Sequence, residues 1–261
     1  MKYAVRGMLV VALSTLLEAV RKRLLLVTVA FSLALVGLSV AIAAISIGEQ
    51  ARLIIDVGLA AASGLGSIIA LAITISSFSG EIKNRTAYTV LVRPIPRSAF
   101  VLGKYLGNLG AMCVVVTVMI GATGIMVWAY GGDLPSALWS SGWLAYMEMA
   151  LVVAVAVLFS TFASPVLAAT YTTGVVIVGN LTNEMMDIGD RMLDKGNALG
   201  NVLRGFYYVV PDLQALSVRP QAANYLQVPA GFVSAGTLYG LSYAGAALLV
   251  AMWIFSRRRI L

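Results

Sequence analysis

The chain has 261 residues, 60% of them hydrophobic and 11% charged, where a soluble domain carries about 25% charged residues. It has a net charge of +7, no histidine and one cysteine, which excludes a His general base or proton relay, a disulfide framework and a Cys-rich metal site. The composition is that of an all-α polytopic membrane protein whose basic excess belongs to cytoplasmic loops, not to nucleic-acid binding.

In chain order, residues 1–23 place Leu9, Leu13, Leu16 and Val20 on one helical face and Ser14, Glu18 and Arg21 on the other. This predicts an interfacial helix; the alternative is a plain cytoplasmic lead-in. The apolar run at 24–47 is longer than the ~7–15 residues of a signal-peptide core, so a first transmembrane span is expected there. Five further runs, near 53–78, 102–130, 139–162, 165–181 and 232–255, bring the expected total to six spans, the fifth being short. Cys113 lies inside the third run, as a small core or lipid-facing residue.

Between spans two and three the chain reads "SGEIKNRTAYTVLVRPIPRS", residues 79–98. Ser79 and Gly80 are expected to close span two, residues 81–92 to form a short helix, and Pro94 to end it. Pro96 stiffens the turn, and Ser98 is the expected N-cap of span three. The product is a helical elbow, with Glu81 set against Lys83, Arg85, Arg93 and Arg97. Such a charge mixture fits either docking to a complementary protein surface or simple anchoring at the headgroups.

The segment 182–231 is too long for a plain loop. Asn183 is its expected N-cap, acidic residues come early and Arg204 late, and Met185, Ile188, Met192, Leu199 and Leu203 form an apolar side. One or two amphipathic helices follow from that pattern, with a turn at Pro211.

Lys and Arg set the orientation. With the N-terminus inside, thirteen of the eighteen basic residues are cytoplasmic and five are outside. Both termini and the 79–98 elbow are then cytoplasmic, and 182–231 is extracytoplasmic. Trp128, Trp139, Trp143 and Trp253 fall near span ends, as interfacial tryptophans do.

Small residues recur every fourth position at Gly58, Ala62 and Gly66, again at Gly103, Gly107 and Ala111, and at Gly236, Gly240 and Ala244. Such stripes serve helix packing within a subunit or a dimer seam. Asp56 and Glu148 are the acidic residues nearest to membrane depth, and both are expected near the outer ends of their spans. The methionines, without Cys or His beside them, read as flexible apolar filling, so no metal site is expected.

No catalytic residues emerge. The nearest approach to a phosphate-cradling loop, "VLGKYLGN", has Tyr105 after Lys104 and no Gly-rich stretch before it. A pump built on this chain must draw energy from an ion gradient or a partner.

The stretch from Ser79 to Gly107 resembles the coupling segment of type-2 ABC exporter permeases. Glu81, Thr86, Leu91, Arg93, Pro94, Arg97, Phe100, Gly103 and Lys104 occupy the places of that family's pattern. Arg85 stands where the family often has Gly, and Pro96 where it often has Ser. The resemblance extends over nearly the whole chain, including "YYVVPDLQALSV" before span six and a closing "RRR". Within the family, the group serving nitrous-oxide-reductase maturation is the most similar.

The resemblance implies two permease chains, as a homo- or heterodimer in a bacterial-type inner membrane, each bound to a separate cytoplasmic ABC ATPase. ATP and Mg2+ belong to that partner, and this chain has no cofactor of its own. Glu81, Lys83, Arg85, Thr86, Leu91, Arg93, Pro94, Pro96 and Arg97 become coupling residues, and 182–231 a gate or a platform for an extracytoplasmic accessory protein. The competing expectations are an ion-coupled secondary transporter and a membrane assembly scaffold.

Overall fold

In the computed structural model, residues 2–21, 50–83, 96–194 and 210–257 are described, with isolated positions at 30, 33, 34, 37, 38, 200, 201 and 205. All regular structure among them is helical: α1 (Lys2–Arg21), α2 (Gln50–Lys83), α3 (Arg97–Ala129), α4 (Ser136–Ser160), α5 (Pro165–Asn180), α6 (Thr182–Asp194), a 3-10 turn (Gln214–Leu216), α7 (Arg219–Ala223) and α8 (Phe232–Arg257).

Four of these helices, α2 over Gln50–Phe78 with α3, α4 and α8, are long and apolar enough to cross a membrane. α5 has only 16 residues, about 24 Å, which falls short of a ~30 Å hydrocarbon core. It bends by 68° into α6, and the pair counts as a fifth, broken candidate span. The expected span at 24–47 lies outside the described residues.

Chain breaks follow local chemistry. Pro96 and Pro135, extended at ψ 141° and 140°, precede α3 and α4, where a helix needs no donor from the residue before it. Ser164 caps α5, its side chain accepting from the Leu167 amide, and Pro165 takes the first helical position. Gly131, at φ +70°, supplies the left-handed residue that turns the chain out of α3.

Three expectations are corrected. The candidate span ends at Phe78, beside Ser79 and Gly80 as expected, but Glu81 does not open a separate helix: α2 continues to Lys83, since one glycine costs only about 1 kcal/mol inside a long helix. Ser98 does not cap α3; Pro96 does, without a side-chain hydrogen bond. Asn183 does not cap α6 either. It lies inside the first turn, and its amide donates to Gln214 Oε1 at 2.7 Å.

The center of the bundle is α4, which packs on α2, α3 and α8 and buries residues along nearly its whole length. α1 lies along the first turns of α3. A Cβ on Gly103 would sit 2.8 Å from the Met8 carbonyl oxygen, and one on Gly107 2.5 Å from that of Ala12, while Gly110 meets Leu16. The two helices therefore run in the same direction for about 10 Å. The face of α1 turned to the bundle is Gly7, Val11, Thr15 and Ala19. Leu9, Leu13 and Val20, assigned from sequence to its apolar face, point away at 51%, 59% and 49% exposure.

The bundle has two ends. The end of α2, the start of α3 and the end of α8 meet at one, the elbow end, where Arg97 Nη1 donates to the Ser256 carbonyl at 3.0 Å. The 3-10 turn and α7 close the other, the lid end.

Gly107→Leu pushes a branched side chain into the Ala12 backbone, which cannot yield as a flexible tip can. We expect a loss of about 1–3 kcal/mol, read as a lowered thermal midpoint in detergent, with Gly110→Ala nearly silent by comparison.

Candidate functional site

The segment expected to form the elbow lies between the end of α2 and the start of α3. Glu81 and Lys83 belong to the last turn of α2, and their side chains are outside what is described. Arg85, Thr86, Leu91, Arg93 and Pro94 lie outside the described residues. Pro96 is exposed at the α3 start, and Arg97 opens that helix and reaches α8.

Two turns further in, Lys104 is fully buried at 0% exposure. Its Nζ donates to the Ser77 carbonyl of α2 at 3.2 Å and lies 3.8 Å from Glu18 of α1. Asn108 Nδ2 donates to Ser77 Oγ at 3.4 Å. One ammonium therefore joins α1, α2 and α3 behind the elbow. A stranded buried ammonium is costly, so these three helices are held in register by its partners.

The small-residue stripe of α2 packs within the chain. Gly58 faces Thr123 of α3 and Gly66 faces Met149 of α4, each so closely that a Cβ would overlap the neighbour, and Ala62 is fully buried. Small residues allow such approach where lipid supplies no hydrophobic drive between helices.

At the lid end a cavity of about 700 Å³ opens between α2, α4, the α5–α6 bend and α7, lined among others by Asp56, Ser63, Glu148, Asn180, Gln214 and Arg219. Its lid is built from polar contacts. Arg219 of α7 donates from Nε and Nη2 to the two Asp56 oxygens at 2.6 and 2.9 Å. That hydrogen bonding raises the Arg219 pKa above its ordinary value, so the guanidinium stays charged. Gln214 Nε2 donates to the Asn180 carbonyl and to Glu184 Oε2, the latter at 3.2 Å. Asp212 Oδ1 accepts from the Gln214 and Ala215 amides at 2.9 and 3.2 Å, capping the 3-10 turn. The Leu213 amide donates to the Gly179 carbonyl at 3.0 Å, and a Cβ on Gly179 would come within 2.6 Å of the Pro211 carbonyl. Pro211, expected from sequence to turn the chain, thus seats the lid on the end of α5.

The floor of the cavity corrects another expectation. Asp56 does sit near the lid end, in the second turn of α2. Glu148 does not sit near an end: it has twelve residues of α4 on either side and is 3% exposed. The reason is that α4 starts at Ser136 and α7 roofs that end of the bundle. Ser67 Oγ donates to Glu148 Oε1 at 3.1 Å. Among the described residues no group of three or more His, Cys, Asp or Glu is placed to hold a metal.

Sequence reasoning missed Lys104 as a structural tie, Ser67 as a carboxylate partner and Arg219 as the mate of Asp56. Arg219 and Asp56 are 163 positions apart, and nothing local to either announces the pair.

This arrangement of apolar helices around a polar vestibule defines a multi-pass integral membrane protein. The chain belongs to the ABC-2 family of transporter proteins, whose family model matches residues 9–259. It is thereby a permease subunit of an ABC transporter. No curated protein matches the chain.

The Asp56–Arg219 pair is part-exposed, so its worth is that of a surface ion pair, about 1 kcal/mol. Asp56→Asn and Arg219→Gln should each lower the thermal midpoint by a similar small amount, and the double variant by no more than either single one. Additive losses in that cycle would mean that the two groups act independently.

Proposed function

We propose that the chain is the force-receiving membrane subunit of an ABC exporter or energy-transducing complex. A separate cytoplasmic ATPase docks on residues 79–98, with Glu81, Lys83, Arg85, Thr86, Leu91, Arg93, Pro94, Pro96 and Arg97 at the contact. The observation that carries this reading is the continuity of α2. It is one helix of 34 residues, about 51 Å long, with the elbow at one end and Asp56 at the other. Motion imposed at Lys83 is delivered to Ser67 and Asp56 with no joint between.

On this reading ATP and Mg2+ are bound and turned over in the partner, and no residue of this chain is catalytic. A second permease chain completes the path. Exposed apolar faces on α5 (Val166, Tyr171, Ile177) and α8 (Leu238, Leu241, Leu249) are available to lipid or to that second chain. Both termini and the elbow lie in the cytoplasm, the membrane is the bacterial inner membrane, and six spans result when 24–47 crosses it. The Leu9, Leu13 and Val20 face of α1 rests in the headgroup region. The lid presents the surface for an extracytoplasmic accessory protein.

An affinity-tagged chain should bring an ABC ATPase with it from native membranes. Glu81→Arg combined with Arg85→Glu should cut that recovery and ATP-dependent activity at least tenfold while the permease still reaches the membrane; an unchanged yield of both would overturn the docking model. An ion-coupled transporter is favoured by one observation, the deeply buried Glu148. Transport that persists without nucleotide and collapses with the ion gradient would select it.

A further inference from the structure

The vestibule ends on a carboxylate that its surroundings only half satisfy. Glu148 is 3% exposed, and Ser67 Oγ occupies Oε1 at 3.1 Å. Among the described residues no hydrogen bond reaches Oε2 and no cation pairs with the carboxylate, although the side chain borders the 700 Å³ cavity. The other carboxylate of the cavity, Asp56, has both oxygens taken by Arg219. Glu148 Oε2 is therefore the acceptor that a bound ligand would meet at the bottom. The space suits a small molecule, since such sites commonly span about 300–1,000 Å³.

We propose that Glu148, with Ser63 in the same cavity wall and Ser67 holding it from behind, forms the floor of a binding site for a primary ammonium group on a ligand that enters from the lid end. The chemistry of the donors narrows the class. A dehydrated Ca2+ takes about 6–8 oxygen ligands and Mg2+ a near-ideal octahedron, which one free carboxylate oxygen and the Ser63 hydroxyl do not provide. A guanidinium pairs best with both oxygens of a carboxylate at once, and Ser67 already holds one of them. An ammonium is a compact point charge with three donors. The acceptors the cavity wall offers it are Oε2 and the Ser63 hydroxyl, whose own proton goes to the Ala60 carbonyl. Arg52, Asp56 and Arg219 stand at the mouth of the cavity.

The site depends on the cavity and not on any motor, so its test is independent of ATPase docking. The unaltered full chain in lipid nanodiscs would be titrated with dansylcadaverine, a fluorescent primary amine, and with its N-acetylated neutral form, empty nanodiscs giving the lipid background. The amine should bind saturably and at least tenfold more tightly than the neutral form. Glu148→Gln should erase that preference, Ser67→Ala should weaken amine binding about threefold, and Glu148→Asp should keep part of it. Equal binding of the two probes to the unaltered chain would overturn the assignment without recourse to any variant. So would a preference that survives in Glu148→Gln protein. Recovery of the ATPase with the Glu148→Gln chain should be unchanged, which separates failure of this site from failure of the docking model.

Discussion

The contact of α2 with α4 at Gly66 and Met149 is the one on which the rest of the site depends. Glycine at 66 leaves room for the Met149 side chain, whose Sδ–Cε end fills the space a Cβ would take. The next residue on one helix and the preceding residue on the other are Ser67 and Glu148, and the same approach brings them to 3.1 Å. In lipid, apolar side chains gain little by leaving one apolar solvent for another, so packing of small residues has to hold helices together. A larger residue at 66 would have to displace the Met149 side chain, the neighbour of Glu148 in sequence.

From that contact outward the molecule is a set of rigid elements with ties at both ends. At the elbow end, buried Lys104 reaches Ser77 of α2 and lies near Glu18 of α1, while Arg97 reaches α8. At the lid end, Arg219 fastens α7 to Asp56 of α2 and Gln214 fastens the 3-10 turn to the α5–α6 bend. α2 takes part in both sets of ties. On the proposed reading, this helix, bound at both ends, is what carries displacement from the elbow end to the vestibule.

The long helices were legible because apolar runs of about 20 residues leave few alternatives: in a bilayer the backbone must satisfy its own hydrogen bonds. The runs near 53–78, 102–130, 139–162 and 232–255 correspond to α2, α3, α4 and α8, each helix extending past its run at one end or both. Their ends were less legible. Gly80 reads as a stop in isolation, and Ser98 and Asn183 read as caps, yet prolines and packing set the observed boundaries at Pro96 and around Leu181. The candidate site was partly legible. Gly58, Ala62 and Gly66 announced close packing by their spacing, whereas which helix they meet was not encoded in any local pattern.

By itself the sequence determined that this is an all-helical membrane protein of the ABC-2 type, with a charged, proline-containing segment between two long apolar helices. Composition and periodicity are properties of neighbouring residues, and they suffice for that. Only the tertiary structure decided that Glu148 lies at mid-helix beneath a lid, that Arg219 closes on Asp56 from 163 positions away, and that Lys104 is a buried tie. Depth and pairing depend on which helix faces lie against one another. That choice is made by shape and charge complementarity between segments far apart in the chain.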